Sequence, residues 1–149
     1  MGNQIDPQSL AQEIIKIIQN LNILDRNRYV RGAAGELEQI EDSGVGGNAG
    51  KPSSPPGLCY RARFTLRFLD YDEIGLLEKF LGEHIKKFKK TKEFEGEYNF
   101  GMHPFASQDP KIKLISIDEP NGKPSEQREA LIKDLRTLAS LLNNYSLQR

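Results

Sequence analysis

A glycine-rich run comes nearest to a phosphate-binding motif in this chain. Residues 44–51 end in the Gly-Lys pair of a P-loop, but Val45 replaces the earlier glycine that the motif requires. Pro52 stands where the hydroxyl that binds Mg²⁺ is needed. A phosphate loop must also lead into a helix N-terminus, whose backbone N–H groups point at the anion. Pro55 and Pro56 are incompatible with a helix that starts directly after this run. We therefore predict a linker here.

One cysteine and two histidines have side chains suited to nucleophilic catalysis or metal binding. Cys59, His84 and His103 could act with Asp109 as nucleophile, base and orienting acid, but nothing in their spacing predicts that they meet. Their spacing also matches no zinc site. We predict no catalytic residue, no metal site and no cofactor. His103 is the better functional candidate, since it lies in a predicted loop, and a small hydrolase built around it is the weakest hypothesis.

Acidic residues cluster where the second predicted helix begins. Asp70, Asp72 and Glu73 precede or open its first turn. Negative charge at this position interacts favourably with the positive end of the helix dipole. We therefore expect these carboxylates to cap the helix rather than to bind metal.

Basic residues provide the sharper functional hypothesis. Arg61, Arg63 and Arg67 share one face of a predicted strand, because side chains alternate along a strand. The end of the following helix adds Lys86, Lys87, Lys89 and Lys90. Sheets that bind single-stranded nucleic acid stack the bases on aromatic residues, whereas the aromatic residues here fall on the opposite face. We expect a solvated face whose arginines pair with Glu95 and Glu97 across strands, and keep nucleic-acid binding as the alternative.

The N-terminal segment carries a strong apolar stripe. Ile14, Ile17, Ile18 and Leu21 recur at steps of three and four residues, which predicts an amphipathic helix beginning near Asp6 and Pro7. Such a stripe has to be buried. Packing on the rest of the chain is the first interpretation. Contact with a protein partner is the second, and these four apolar residues are then the candidate partner-binding residues.

The composition predicts three regions. Residues 1–41 form an N-terminal helical arm, residues 42–57 a flexible linker rich in Gly, Pro and Ser, and residues 58–149 an α+β domain. Within the arm we favour an αα-hairpin that includes residues 27–41. A strand over Arg28–Ile40 is the competing interpretation, because glycines weaken helices and strands alike.

The third region contains the pattern of an α+β fold. The predicted elements are strands at Leu58–Leu69, Phe94–Met102 and Lys111–Asp118, with helices at Tyr71–Lys90 and Ser125–Tyr145. The order β-α-β-β-α is that of a ferredoxin-like, split βαβ sandwich that lacks its last strand or borrows it from the N-terminal side. Crossover connections would place both helices on one face of the sheet and leave the charged face open.

Length and charge exclude several classes of protein. With 149 residues, 37% hydrophobic and 28% charged, the chain fits one small globular domain. Lys and Arg number 21, as do Asp and Glu, which counts against a dedicated non-specific nucleic-acid binder. A single cysteine fits a reducing compartment. No run approaches the roughly 18 apolar residues of a membrane span, and the N-terminus lacks a signal-peptide layout.

These observations predict a small cytoplasmic domain without a membrane partner. We expect a non-enzymatic interaction or accessory domain that mediates protein–protein contact or self-association. The alternative is a nucleic-acid-binding domain that uses the basic sheet face and the lysine-rich helix end.

Overall fold

A four-stranded antiparallel sheet, backed by helices, organises the fold. The computed structural model describes residues 6–21, 30–39, 58–102 and 109–148. Within them the elements are α1 (Pro7–Gln19), β1 (Val30–Gln39), β2 (Leu58–Arg67), α2 (Tyr71–Lys90), β3 (Glu97–Met102), β4 (Ile112–Glu119) and α3 (Pro124–Gln148). The strands lie in the order β1-β2-β4-β3, so β1 and β3 form the edges. The predicted α+β class is confirmed.

β1 corrects one prediction about the N-terminal region. Residues 30–39 form a strand, so the αα-hairpin favoured for residues 27–41 is wrong and the competing strand is right. Two glycines disfavour a helix in this segment, because each costs about 1 kcal/mol relative to alanine. Antiparallel pairing with β2 instead provides the backbone with hydrogen-bond partners. The register shifts between Ala34 and Glu36, and the residue skipped is Gly35, which suits a bulge. The linker predicted at residues 42–57 lies outside the described residues.

α1 begins as predicted. The Asp6 carboxylate accepts a hydrogen bond from the Ser9 backbone N–H at 2.9 Å, and Pro7 takes the first helical position. The apolar stripe of α1 packs against α3 and β1 and belongs to the same hydrophobic cluster as the residues of the C-terminal region. The N-terminal helix is therefore part of this core.

The core lies between the helices and one face of the sheet. β2 contributes Ala62, Phe64 and Leu66, and β4 contributes Ile115 and Ile117. The helices cover these side chains with Ile14 and Ile18 from α1, Ile74, Leu77, Leu81 and Ile85 from α2, and Leu131, Leu135, Leu138 and Leu142 from α3. Side chains of opposite parity on β2, among them the exposed Arg63, lie on the other face of the sheet.

Replacing Gly82 with Ala is expected to raise the free energy of unfolding by about 0.5–1 kcal/mol. Gly82 lies inside α2, and a Cβ added there meets no atom within 4 Å, so the variant gains helix propensity without a clash. Urea denaturation followed by circular dichroism measures the change. Gly75→Ala, which also has open space around the added carbon, should behave alike. Unchanged or lowered stability in both variants would contradict the described environment of α2.

Candidate functional site

The face of the sheet that the described helices leave uncovered carries the three arginines predicted for nucleic-acid binding. Arg61 lies beside Asp118, with Nε 2.7 Å from Oδ1 and Nη2 3.3 Å from Oδ2. Arg67 donates from Nε to Oδ2 of Asp109 at 2.9 Å. This hydrogen bond, with a second from the Lys111 backbone N–H, lowers the pKa of the Asp109 carboxyl. Arg61 and Arg67 are thus held by carboxylates within the chain.

Arg61 and Arg67 form ion pairs with two carboxylates that were not predicted as their partners. The bonded partners of Arg61 and Arg67 are Asp118 and Asp109, whereas Glu95 forms an ion pair with Lys133 at 3.1 Å. Glu95 precedes β3, so the chain there is not yet aligned with the sheet. Arg61 pairs with Asp118 across strands, whereas Asp109 lies before β4 and Glu95 lies before β3, which starts later than predicted.

The predicted lysine cluster lies in a different layer. Lys86, Lys87, Lys89 and Lys90 are exposed on α2, whose apolar side packs into the core. The arginines point from the opposite face of the sheet. The structure therefore does not bring the arginine and lysine sets into one contiguous surface.

The apolar residues predicted to bind a partner are mostly inside the protein. Ile14, Ile18 and Leu21 are buried in the core, and Ile17 is partly buried against it. A partner could reach the first three only if α1 left its position on α3. Packing on the rest of the chain, the first interpretation of this stripe, is the arrangement observed.

The predicted nucleophile and base candidates are engaged elsewhere. Cys59 is buried and forms no disulfide. His84 Nδ1 lies 2.9 Å from the carbonyl oxygen of Phe80, one turn earlier in α2. Asp109 is bound by Arg67, and His103 lies outside the described residues. Within the described residues, no group of three or more His, Cys, Asp or Glu side chains could hold a metal ion.

The acidic residues predicted at the start of α2 occupy the expected positions. Asp70 is the N-cap residue, and Asp72 and Glu73 lie in the first turn. The Asp70 side chain makes no capping hydrogen bond, so the cap predicted for this residue is wrong as a side-chain contact, while the negative charge of the three residues still suits the positive end of the helix dipole.

Two buried acids that sequence reasoning did not single out meet between β4 and α3. Glu119 ends β4 and is 3% exposed, and Asp134 on α3 is 0% exposed. The Asp134 carboxylate accepts backbone N–H bonds from Glu95 at 2.9 Å and Gly96 at 2.8 Å, one on each oxygen. Burial, and next the hydrogen bond and charge of Asp134, raise the pKa of Glu119 to about 10. Glu119 is therefore protonated at neutral pH and can donate its proton to Asp134.

Weak signals for both acids are present in the sequence. Asp134 lies in the apolar stripe of α3, three residues after Leu131 and four before Leu138. Glu119 continues the parity of Ile115 and Ile117, which face the core. A charged residue at a core position requires a partner, but the chain pattern does not say which one.

Gly96 is required where the chain passes over this carboxyl pair. A Cβ at Gly96 would overlap Glu119 Oε2 and lie 2.7 Å from the backbone oxygen of Asp118. We expect Gly96→Ala to lower the free energy of unfolding by about 1–3 kcal/mol, as overpacking does. In Gly101→Ala, the matched control on β3, the nearest atom to the new carbon is Asn99 Nδ2 at 3.6 Å, an ordinary contact. Equal stability of the two variants in urea would contradict this close approach.

A groove adjoins the carboxyl pair. It has a volume of about 820 Å³ and lies between residues 93–95 and the first half of α3. A smaller cavity of about 230 Å³ continues from it, lined by Glu95, Glu119 and Glu126 together with the turn at residues 120–122. Lys133 spans the outer side, donating to the Lys92 carbonyl oxygen at 2.7 Å and to Glu95 Oε2 at 3.1 Å. This concave surface is rich in carboxylates.

Comparison of the chain with protein-family models, curated proteins and solved structures gives no match. Among the described residues, no helix combines the length and apolar content that crossing a bilayer demands.

Proposed function

We propose that this chain is a small, non-enzymatic protein-interaction domain that self-associates through the outer edge of β3. The observation that supports the proposal is the position of β3 at the end of the strand order, with β4 as its neighbour among the described strands. An edge strand presents backbone N–H and C=O groups along its free side, and a further strand can pair with them.

The composition of β3 favours pairing. Natural sheets protect their edges with lysine, proline or bulges, whereas Glu97–Met102 contains neither of these residue types and pairs with β4 in regular register. An antiparallel second copy centred on Asn99 would place Tyr98 opposite the second copy's Phe100. Such aromatic pairs across strands contribute about 0.2–1 kcal/mol each. The same register sets Glu97 opposite Gly101, so no like charges face each other.

The fold class belongs to the same proposal. The order β1-β2-β4-β3 is the one expected of a ferredoxin-like sandwich whose outer strand comes from the N-terminal side. This class of fold carries many unrelated functions, so it supports the architecture and selects no activity.

Sedimentation velocity of the full chain over a wide concentration range tests self-association. We expect a dimer at high concentration, and we expect Asn99→Lys to weaken it because two ammonium groups would face each other at the centre of the pair. Asn143→Lys adds the same charge at an exposed position on α3 and is the matched control. A monomer at every concentration, or equal weakening by both variants, would contradict the proposal. Deletion of the N-terminal region is unsuitable because it removes β1 and part of the core.

Nucleic-acid binding stays the alternative proposal. The four exposed lysines of α2 support it, while the ion pairs of Arg61 and Arg67 weaken it. It predicts that a single-stranded oligonucleotide binds at low salt and dissociates as salt rises, because each neutralised phosphate releases counterions. Fluorescence anisotropy measures this, and an absence of binding at low salt would reject it.

A further inference from the structure

The groove beside the carboxyl pair concentrates negative charge in a chain with no net charge. Its lining carries four exposed carboxylates, from Glu93, Glu95, Glu126 and Glu129, against the two basic side chains of Lys133 and Arg136. Lys133 is already bonded to Glu95 and to a backbone carbonyl. The remaining carboxylates give the groove a field that attracts cations.

Glu119 provides a separate indication of a ligand. It lines the smaller cavity, is 3% exposed, and its Oε2 has no hydrogen-bond partner among the described residues. A buried oxygen without a donor is unfavourable, and native proteins rarely leave one. Asp134 cannot supply a donor to this oxygen, because its carboxylate oxygens act as hydrogen-bond acceptors. The missing group is a hydrogen-bond donor that enters through the cavity.

We infer that this groove binds a basic segment of a protein partner, and that one lysine or arginine side chain of the segment enters the cavity and donates to Glu119. An ammonium or guanidinium group supplies both the donor and the charge that the site lacks. The cavity of about 230 Å³ accommodates one such side chain, and the groove of about 820 Å³ accommodates its neighbours. The site is separate from the β3 edge and does not depend on self-association.

Proton release gives this interaction a specific signature. The charges that act on Glu119 are those of Asp134 on α3, Glu95 before β3 and Asp118 on its own strand, and Glu126 of α3 lines the same cavity. These acids favour the protonated form of Glu119 in the free protein, whereas a bound cation favours the charged form. Binding should therefore release a proton from Glu119, and affinity should increase with pH.

Calorimetric titration of the full chain with a tetralysine peptide tests the inference. Titrations in two buffers with different ionisation enthalpies count the protons released. We expect release by the natural protein, and we expect Glu119→Gln to abolish the release and weaken binding about tenfold, as loss of one charge-assisted hydrogen bond does. The amide can still donate to Asp134, so the variant keeps its fold. Glu129→Gln, at an exposed groove position, should keep the proton release.

Three outcomes would overturn the inference: no binding, binding without proton release, or equal loss in both variants, which indicates general surface attraction. Acetyl-lysine amide serves as the second probe. Affinity equal to that of the peptide would assign the cavity to small free cations and contradict a protein segment. Sedimentation of Glu119→Gln separates this site from the dimer, because self-association through β3 should be unchanged.

Discussion

Replacing Asp134 with Ala is expected to lower the free energy of unfolding by about 3–5 kcal/mol, the cost of breaking a buried charged network from one side. Two backbone N–H groups, of Glu95 and Gly96, lose the acceptor they share, and the proton of Glu119 loses its acceptor as well. Water cannot replace the lost acceptor easily, because Asp134 is fully buried. Urea denaturation followed by circular dichroism measures the change.

The Asp134→Asn variant removes the negative charge of the side chain but keeps its size, so it shows how much of the stability loss is due to the charge. The amide keeps one acceptor oxygen, so we expect a loss of only about 1–3 kcal/mol. Glu129→Ala, on the exposed side of the same helix, should stay within about 0.5 kcal/mol of the natural protein. If Asp134→Ala were as mild as Glu129→Ala, the carboxylate would not be holding the chain before β3.

Asp134 also determines where β3 begins. The sequence predicts a strand from Phe94, because aromatic and acidic residues alternate from there. In the structure the strand starts at Glu97, since the N–H groups of the two preceding residues turn towards Asp134 on α3. This position defines both the free edge of β3 and the wall of the acidic groove. Loss of Asp134 should therefore weaken both proposed interactions.

The sequence pattern predicted an element correctly where neighbouring residues in the chain determine its structure. α2 has the predicted bounds, Tyr71–Lys90, because its apolar period is clear and Lys92, with φ of 64°, turns the chain out of the helix. The parity of β2 correctly separated Phe64 from Arg63. The helix start at Asp6 followed from its capping chemistry.

Contacts between residues distant in sequence determine the features that the sequence pattern could not predict. β1 is a strand because β2 lies beside it, and nothing in the glycine-containing sequence of residues 30–39 specifies that neighbour. Asp134 accepts hydrogen bonds from Glu95 and Gly96, which precede it by 39 and 38 positions in the sequence. Its other partner, Glu119, lies on a different element, β4. The apolar stripe shows that Asp134 is out of place for a charged residue. The fold alone identifies its partners.

Replacing Glu119 with Gln is expected to change how stability depends on pH. The folded-state pKa of about 10 lies above the value of an unfolded glutamate, so the folded protein holds a proton that the unfolded chain releases. The stability contributed by this proton is fully present below the unfolded pKa and is lost as pH rises through the folded pKa. Stability should therefore decline steadily as pH rises from the unfolded pKa towards the folded pKa.

The Glu119→Gln variant would keep the donor to Asp134 and remove the titration. At pH 5 the variant should resemble the natural protein, and with rising pH it should become progressively more stable than it. Urea denaturation at several pH values gives the two curves, with Glu129→Gln as a control expected to run parallel to the natural protein. Parallel curves for Glu119→Gln would mean that Glu119 is not held protonated by its burial.

The expected divergence of the two curves bears on the acidic groove. It would mean that Glu119 makes the natural protein less stable at neutral pH than a glutamine at the same position would. A cation bound in the groove would offset this loss of stability in two ways. It would favour the ionised form of Glu119 in the folded protein, and its binding would stabilise the folded state relative to the unfolded chain. The tetralysine peptide should therefore raise the stability of the natural protein more at pH 8 than at pH 5, and should raise that of Glu119→Gln about equally at both.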